Sequence, residues 1–390
     1  MEVKFKQYFS QKNLFFSFLL FLLIIFLLLT NQIVKVKNRE YIFIKYINNC
    51  KKLKKFIHKG KKIKNTPFLS ICIPVFNMER YIKRAILSVL NQSFKDFEII
   101  IINDFSNDKT DNIIKEMQIN EPQIKIINHN NNLGTFSSRI NGILNSNGIY
   151  IIFIDSDDLF LESQIFQKLY DFNLNKNLDM IEFTVYYEDE ENNLLYFPNN
   201  HESNHYHNYS KNIIYQPELS NLLFRDPKNH NYSHVFCRTI WNKMVKKEIY
   251  LKTINFIQNH FNKNLYFVFA EDTIMNILNF QFSSNYSNVN MPGYMYSRRK
   301  NSISHGNINI NLINNNSLLY LKLFYSYIKY FNKNINYLYY EIKFFQNYLG
   351  TFKGFNFTNF KLKGKSLFNI ILNDKNITKN FNILINNNSF

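Results

Sequence analysis

The chain of 390 residues carries a formal net charge of +18, and 46% of its residues are hydrophobic. This length allows one large domain or two ordinary ones, and the apolar share is enough for a sizeable core. Only three cysteines occur and Cys72 lies in an apolar run, so we expect no disulfide framework, and a reducing compartment is compatible. The positive charge would suit nucleic acid or an anionic membrane, and its distribution favours the membrane over nucleic acid.

Residues 14–29 are apolar at every position except Ser17, and two aliphatic residues follow shortly after. The segment approaches the length that crosses a bilayer. A cleaved signal peptide is the alternative, but its apolar core would be shorter and followed by small residues, whereas Thr-Asn-Gln follows here. We therefore predict an uncleaved, single-pass transmembrane helix over 14–34, after a short tail at 1–13.

The flanks of this segment predict its orientation. Three lysines and one glutamate precede it, whereas residues 35–66 contain twelve lysines and arginines and form a basic linker. Positive charge is retained on the cytoplasmic side, so we expect the rest of the chain there, with the Golgi lumen as the alternative. Residues 51–64 either lie along anionic headgroups or form a solvated spacer.

Strand-like and helix-like patterns alternate from residue 67 onward. Isoleucine-rich runs predict buried strands, and apolar residues at helical spacing predict helices between them. We expect Asn77 to cap the first helix, and Gly134 to begin, and Gly148 to close, the third. The alternation predicts an α/β domain with a central, mostly parallel sheet of right-handed βαβ units. The predicted strands are 68–75, 97–102, 124–127 and 149–154.

The strand over 149–154 runs directly into Asp155, Asp157 and Asp158. Three adjacent carboxylates repel one another unless a cation lies among them, and hard divalent cations often join carboxylates to substrate phosphates. This pattern suggests a metal–diphosphate site. A polar loop that ends in an acidic helix cap is the alternative.

Two further residues are expected at the same edge of the sheet, where the carboxyl ends of parallel strands meet. Phe76 follows the first strand and would lie near a base, and the carboxylate of Asp104 follows the second and would accept from a base N–H. Together with the acidic stretch they describe a nucleotide-diphosphate pocket. The sequence has no Gly-x-Gly-x-x-Gly and no Gly-Lys-Ser/Thr loop, which argues against dinucleotide and P-loop chemistry.

Sequence blocks in this order and spacing resemble glycosyltransferase family 2, from about residue 68 to 305. The first blocks are SICIPVFN at 70–77, AILSVLNQS at 85–93, FEIIIINDFSND at 97–108, NLG at 132–134, RIN at 139–141 and GIYIIFIDSDD at 148–158. The later blocks are RTIWNKM at 238–244, AED at 270–272 and YSRRKNSIS at 296–304.

The resemblance implies a GT-A fold and an inverting transfer of a sugar from a nucleotide sugar, usually a UDP-sugar, to a glycan, lipid or protein hydroxyl. Residues 67–180 would bind the nucleotide sugar, and residues 181–305 would form the acceptor side. Residues 306–390 lie outside the resemblance, and their Tyr- and Phe-rich stretches broken by Lys and Asn predict a helical extension that packs on the domain or touches the bilayer. The Gln-x-x-Arg-Trp motif of processive synthases is missing after Asp272, which favours transfer of a single sugar.

The resemblance also assigns roles to individual residues. Asp155 and Asp157 match the D-x-D motif that holds Mn²⁺ or Mg²⁺, and Asp272 matches the catalytic base, with Glu271 as the alternative. Phe105 departs from the family, which has a small residue there. The nucleotide-sugar side comprises Pro74, Phe76, Asn77, Asp104, Arg139, Asp155 and Ser156. The acceptor side comprises Trp241, Asn242 and Lys243.

Each assignment has a structural alternative. Asp272 would also serve as the cap of a helix over 273–280, and Trp241 as a buried core residue. Arg298, Arg299 and Lys300 either close on the diphosphate or form a solvated basic turn. His305 is a candidate for reaching the metal. The groups His201, His205, His207 and His230, His234, Cys237 lack a complete ligand set, so we do not expect zinc there.

Two other functions compete with sugar transfer. A catalytically silent relative would bind nucleotide or glycan as a membrane scaffold, but Asp155, Asp157 and Asp272 argue against loss of activity. A nucleotidyltransferase would also bind nucleotide and metal on a parallel sheet. It would normally carry a Gly-rich loop with a basic residue after the first strand, and residues 75–79 have none.

Overall fold

The computed structural model describes residues 66–189, 194–196, 213–217, 219, 239–260, 266–267, 271–298, 319–320 and 323–331. The predicted transmembrane helix at 14–34 and the basic linker lie outside these residues, as do both histidine groups, Arg299, Lys300 and His305. Within the described ranges, no helix combines the length and apolar character needed to cross a membrane.

Four parallel strands form the first half of the sheet, in the spatial order β3-β2-β1-β4. Every residue of β1, β2 and β4 is buried, which explains why their sequences are mostly apolar and do not alternate regularly with polar residues. The strands are β1 (Leu69–Val75), β2 (Phe97–Asn103), β3 (Ile124–Asn128) and β4 (Tyr150–Phe153). The helices between them are α1 (Ile82–Leu90), α2 (Thr110–Asn120) and α3 (Gly134–Asn145).

The strand order creates a crevice between β1 and β4. From β1 the chain proceeds outward through β2 to β3, and then returns to the opposite side of β1 to form β4. The connections after β1 and β4 therefore leave in opposite directions. In open α/β sheets such a switch point is where ligands bind, beyond the carboxyl ends of the strands.

Beyond β4 the sheet continues in mixed orientation to a total of ten described strands. Strand β9 runs antiparallel to both β4 and β6, and β10 runs parallel to β6. The strands are β5 (Leu159–Phe160), β6 (Met180–Asp189), β7 (Leu194–Tyr196), β8 (Ile213–Tyr215), β9 (Lys243–Lys246) and β10 (Asn285–Arg298). The helices are α4 (Ile165–Asn173), α5 (Lys247–His260) and α6 (Glu271–Phe282).

Hydrophobic cores lie on both faces of the sheet because successive strand residues point to opposite sides. Ile71 and Ile73 belong to the core beneath α1 and α4, whereas Cys72 belongs to the core beneath α5 and α6, where its thiol is free and buried. The described C-terminal residues 319–331 join this second core, and the Tyr327 hydroxyl lies 3.1 Å from Gln281 Oε1.

Asn77 does not cap α1, contrary to the sequence-based expectation. The helix begins at Ile82, and its N-cap residue Tyr81 makes no side-chain capping bond. Asn77 instead adopts a left-handed backbone with φ 52°, and its side-chain carbonyl accepts from the Asn107 N–H at 2.8 Å. Asparagine tolerates this conformation well, so the residue shapes the loop after β1.

Gly148 does not end α3 directly, because the helix stops at Asn145 with Ser146 as its C-cap. Glycine is required at position 148 because the backbone there lies too close to β1 to leave room for a side chain. A Cβ atom at this position would lie 2.5 Å from Ser70 Oγ and 2.6 Å from the Ser70 backbone nitrogen. The absence of a side chain therefore lets the chain enter β4 directly beside β1.

Candidate active site

In the acidic turn after β4, two carboxylates are partly exposed to solvent and the third is buried. Asp155 and Asp157 are partly exposed, whereas Ser156 and Asp158 are buried. The Asp158 N–H donates to the Asp155 carbonyl at 3.0 Å, which closes the turn. Asp155 and Asp157 therefore lie on the exposed side of the turn at the switch point of the sheet.

Asp158 is directed into the protein and is held by β10. Its carboxylate accepts from the Tyr294 hydroxyl at 2.6 Å and from the Ser297 N–H at 2.8 Å. Burial, together with the charges of Asp157 and Asp155, raises the pKa of Asp158 well above its ordinary value. Asp158 thus anchors the turn to β10 from the interior side and is not exposed beside Asp155 and Asp157.

Arg139, on α3, joins two parts of the site that are distant in sequence. Its guanidinium is buried and donates to Asp155 Oδ1 at 3.1 Å and to Glu271 Oε1 at 2.8 Å. Although burial acts to lower the pKa of Arg139, the Asp155 and Glu271 carboxylates hold that pKa above its ordinary value. One permanently charged group therefore couples the turn after β4 to the start of α6.

Glu271 and Asp272 occupy the first turn of α6, where carboxylates interact favourably with the helix dipole. Glu271 is buried, and burial raises its pKa to about 7 against the opposing effect of Arg139. Asp272 is more exposed, and its Oδ1 accepts from the Thr273 N–H at 2.8 Å. Burial also raises the pKa of Asp272, with Arg139 again opposing the shift. Asp272 does not cap a helix over 273–280, because the helix already begins at Glu271 and Asp272 lies within its first turn.

Asp104 has partners within the protein itself. Its carboxylate accepts from the backbone N–H groups of Leu133 and Gly134, each at 2.8 Å, at the start of α3. His129 Nδ1 lies 2.7 Å from the same carboxylate, and its Nε2 lies 2.7 Å from Asn141 Nδ2. Three of roughly four acceptor sites are therefore occupied by the chain. Asp104 anchors the start of α3 at the edge where the base is expected.

The loops after β1 and β2 each present an exposed aromatic residue. Phe76 is 39% exposed and follows the buried Pro74, and Phe105 is 47% exposed with a left-handed φ of 65°. Reciprocal hydrogen bonds join the two loops, among them Asn77 N–H to Ser106 Oγ, Glu79 N–H to Asp108 and Lys109 N–H to Glu79, each at 3.0 Å. The loops therefore form one cross-linked unit beside the acidic turn.

Trp241, Asn242 and Lys243 are buried, and the structure gives them internal partners. The indole of Trp241 stacks on the rings of Tyr294 and Tyr296 with centroid distances of 4.8 and 5.4 Å. Lys243 Nζ lies 3.3 Å from Glu182 Oε2 and donates to Asn242 Oδ1 at 3.0 Å. Asn242 and Lys243 therefore belong to a buried polar network between β6 and β9.

Two residues at the acidic turn escaped sequence reasoning. Tyr294 accepts from the Asp155 N–H at 3.2 Å while it donates to Asp158, and Arg84 donates to the Asp157 carbonyl at 2.6 Å. Tyr294 lies two residues before the block at 296–304, so proximity to that block was the one available signal. Arg84 gives no signal, since a basic residue on a surface helix is usually solvated.

Fold and site together define a class of protein: a GT-A-like α/β domain with a carboxylate pair at the switch point of its sheet. Residues 70–253 match the family model "Glycosyl transferase family 2". Over these residues the match supports the family that the sequence blocks resemble, and the mostly parallel sheet supports the α/β, GT-A-like part of the expected fold.

Two bacterial proteins are similar to this chain in sequence over part of their length. An uncharacterized glycosyltransferase, EpsJ, of Bacillus subtilis is 27% identical over 238 residues, which cover 61% of this chain and 63% of that protein. An uncharacterized glycosyltransferase of Haemophilus influenzae is 36% identical over 131 residues, 34% of this chain and 52% of that protein. The chain thus spans less than two thirds of the length of either relative.

One solved structure aligns with part of the chain at low sequence identity. The crystal structure of S. aureus TarS 1-349 in complex with UDP-GlcNAc aligns with a TM-score of 0.49 and 15% sequence identity. The alignment covers 65% of this chain and 66% of that one.

Proposed function

We propose that the protein is an inverting, metal-dependent glycosyltransferase that moves a single sugar from a UDP-sugar to an acceptor hydroxyl. The observation that carries this proposal is the arrangement around Arg139. Its guanidinium contacts Asp155 in the acidic turn and Glu271 beside Asp272, at 3.1 and 2.8 Å. A donor-side carboxylate pair and an acceptor-side carboxylate pair are thus held at a fixed separation by one side chain.

The acidic turn fits a divalent cation of the Mg²⁺ or Mn²⁺ type. Such ions are commonly held by one or two carboxylates together with substrate phosphates, not by a complete cage of protein ligands. Asp155 and Asp157 are the partly exposed pair, and the described residues contain no cluster of three metal-binding side chains. The bound ion would act as a Lewis acid that stabilises charge on the departing diphosphate.

The nucleotide would lie over the loops after β1 and β2. Phe76 offers an exposed ring for the base, and Asp104 lies one strand further out. Because Asp104 already accepts two backbone N–H groups and contacts His129, at most one acceptor site remains for a base N–H. The rigidity of that carboxylate would favour recognition, since its position does not depend on the ligand.

Asp272 is the proposed base that accepts the proton of the attacking hydroxyl. Glu271 is buried and already paired with Arg139, whereas Asp272 is the more exposed member of the pair. A raised carboxylate pKa makes Asp272 a stronger base near neutral pH. A single displacement on the face opposite the diphosphate inverts the sugar carbon, so one base is enough. Arg139 would hold this end of α6 in place through Glu271.

The acceptor is proposed to be a glycan, lipid or protein hydroxyl at a membrane, with the domain on the cytoplasmic face. The support is the apolar segment at 14–34 and the excess of lysine in 35–66. Protease treatment of sealed vesicles tests the orientation. Digestion of the domain from the cytoplasmic side is expected, and full protection there would contradict it.

The activity is tested by a panel of nucleotide sugars, with hydrolysis and transfer measured in the presence and absence of Mn²⁺. We expect one UDP-sugar to be consumed in a metal-dependent reaction. The Asp272→Asn variant is expected to lose about a hundredfold or more in turnover, with UDP affinity unchanged. Asp171→Asn is the matched control, because Asp171 is exposed on α4. UDP binding without turnover of any sugar would instead support the silent scaffold.

A further inference from the structure

Arg84 contacts the backbone of the acidic turn from outside the motif. It lies in α1, whose buried residues Ile82, Ala85, Ile86 and Val89 fix the helix on the sheet. Its Nη2 donates to the Asp157 carbonyl at 2.6 Å and to Ser297 Oγ at 2.9 Å. The Tyr81 ring, 5.1 Å from the guanidinium carbon, stacks against the same group. The side chain is therefore held in one orientation by a rigid helix.

Arg84, on α1, contacts the acidic turn, β10 and β6 together, and we call this group of contacts the Arg84 node. Ser297 on β10 donates its hydroxyl to Glu188 on β6 at 2.7 Å, and Arg84 lies 3.6 Å from the same Glu188 carboxylate. The backbone N–H of Ser297 donates to Asp158 Oδ1. Two elements thus hold this part of the turn. Arg84 binds the carbonyl of the Asp157–Asp158 peptide, and β10 binds the Asp158 side chain.

This fixation matters because the turn carries three carboxylates within four residues, and these repel one another. A flexible turn would relieve the repulsion by rotating the peptide between Asp157 and Asp158. The bond from Arg84 to the Asp157 carbonyl opposes that rotation and also places a cation beside the turn. The backbone from which the Asp157 side chain extends is consequently restrained by a residue that lies 73 positions away in the sequence.

We propose that Arg84 is a positioning residue that holds Asp157 in the orientation needed to bind a divalent cation on the donor diphosphate. This inference rests on the proposed function, since it concerns the same metal-binding pair. It assigns Arg84 no contact with substrate. Nη2 makes the contacts to Asp157, Ser297 and Glu188, and the planar guanidinium against the Tyr81 ring holds that nitrogen in place, which a flexible lysine ammonium would not do as well.

The test compares Arg84→Met and Arg84→Lys with Lys83→Met, an exposed basic residue next in the same helix. Mn²⁺ affinity is measured with UDP present, UDP affinity is measured without metal, and amide hydrogen exchange is followed over residues 154–160. We expect Arg84→Met to lose about tenfold or more in Mn²⁺ affinity, as for other residues that orient metal ligands. We also expect faster exchange at 154–160, metal-free UDP affinity within about twofold, and an intermediate Arg84→Lys.

The possible outcomes distinguish failure of the Arg84 role from failure of the proposed metal-dependent function. Wild-type protein that binds no Mn²⁺ with UDP would overturn the metal role and the inference with it. Normal Mn²⁺ binding in wild type and in Arg84→Met would overturn only the role of Arg84. Full recovery by Arg84→Lys would show that charge alone suffices and would contradict positioning. If Arg84→Met does not fold, Ser297→Ala removes one partner of the node and is expected to change Mn²⁺ affinity in the same direction.

Discussion

Arg139 and Glu271 form a buried ion pair with a 2.8 Å contact that joins the middle of α3 to the first residue of α6. The second amino group of the same guanidinium reaches Asp155. Charges this deeply buried are tolerated only when they are paired, since each alone carries a large desolvation cost. The pair therefore both positions the site and makes the site sensitive to loss of either partner.

Arg139→Met is expected to destabilise the protein by about 3–5 kcal/mol, because Glu271 would remain buried without its cation. The double variant Arg139→Met/Glu271→Gln removes both charges and should recover a large part of that loss. Urea denaturation of the single and double variants measures the difference. Arg80→Met, at an exposed position, is the control and should be near neutral. Additive losses in the double variant would contradict a direct coupling.

The stability of the protein is expected to depend on pH through Glu271. Its folded pKa of about 7 lies above the ordinary value of 4.5, so between these values the native state binds more protons than the unfolded state. Stability therefore falls as pH rises through that window and levels off above about 7. The charged groups that act on Glu271 are Arg139, which opposes the shift, and Asp272 and Asp155, which add to it.

Glu271→Gln removes this contribution, and the measurement is Tm between about pH 5 and pH 7.5. Wild-type Tm should fall across the range by about 3 °C more than that of the variant. Glu116→Gln on the exposed face of α2 should behave as wild type. Parallel curves for wild type and Glu271→Gln would show that Glu271 does not titrate in this range.

Because the backbone at Gly148 lies so close to β1, we expect one added methyl group there to lower the free energy of unfolding substantially. In Gly148→Ala the new Cβ would meet backbone atoms of Leu69 and Ser70 at 2.8 and 2.6 Å, and these cannot move without disturbing β1. We expect a loss of about 3 kcal/mol or more in unfolding free energy. Gly142→Ala is the matched control, since its nearest neighbours at 3.0 and 3.2 Å are side-chain atoms. Equal costs for both variants would contradict the backbone clash.

The left-handed backbone of Phe105 predicts a stabilising substitution. A bulky residue in this conformation costs about 1–2 kcal/mol, and the ring is half exposed, so little packing is lost on its removal. Phe105→Gly should therefore raise unfolding free energy by about 0.5–1 kcal/mol, net of the greater freedom of glycine in the unfolded chain. Asn77→Gly should give no gain, because asparagine tolerates its φ and bonds to Asn107. A loss of stability in Phe105→Gly would show that the ring packs more than its exposure indicates.

The parallel half of the fold was predictable because β1, β2 and β4 are buried along their whole length and read as mostly apolar runs. The position of Asp155 and Asp157 was predictable for a related reason, since acids that follow such a strand lie at the carboxyl edge of the sheet. The antiparallel half was not visible in the same way. Strands β9 and β6 pair across a long sequence separation, and no local pattern specifies which segments meet.

The partners of polar side chains were the least predictable part of the site. Lys243 and Asn242 lie in the RTIWNKM block, yet pairing with Glu182 directs them into the interior. Asp104 was expected to meet a base, and the structure shows that it holds the start of α3 through Gly134. Arg84 had no sequence signal at all. These pairings depend on which segments pack together in the folded protein, and local patterns in a single sequence do not specify them.

The metal–diphosphate site at Asp155 and Asp157 is tested most directly by the calorimetric affinity of the protein for UDP with and without Mn²⁺, in wild type and in Asp157→Asn. Mn²⁺ is expected to strengthen UDP binding to wild type by about tenfold or more, and Asp157→Asn is expected to lose this gain. The metal-free affinity of the variant should be unchanged, and Asp171→Asn should behave as wild type. The same Mn²⁺-dependent gain in Asp157→Asn and wild type would contradict a metal–diphosphate site at the end of β4.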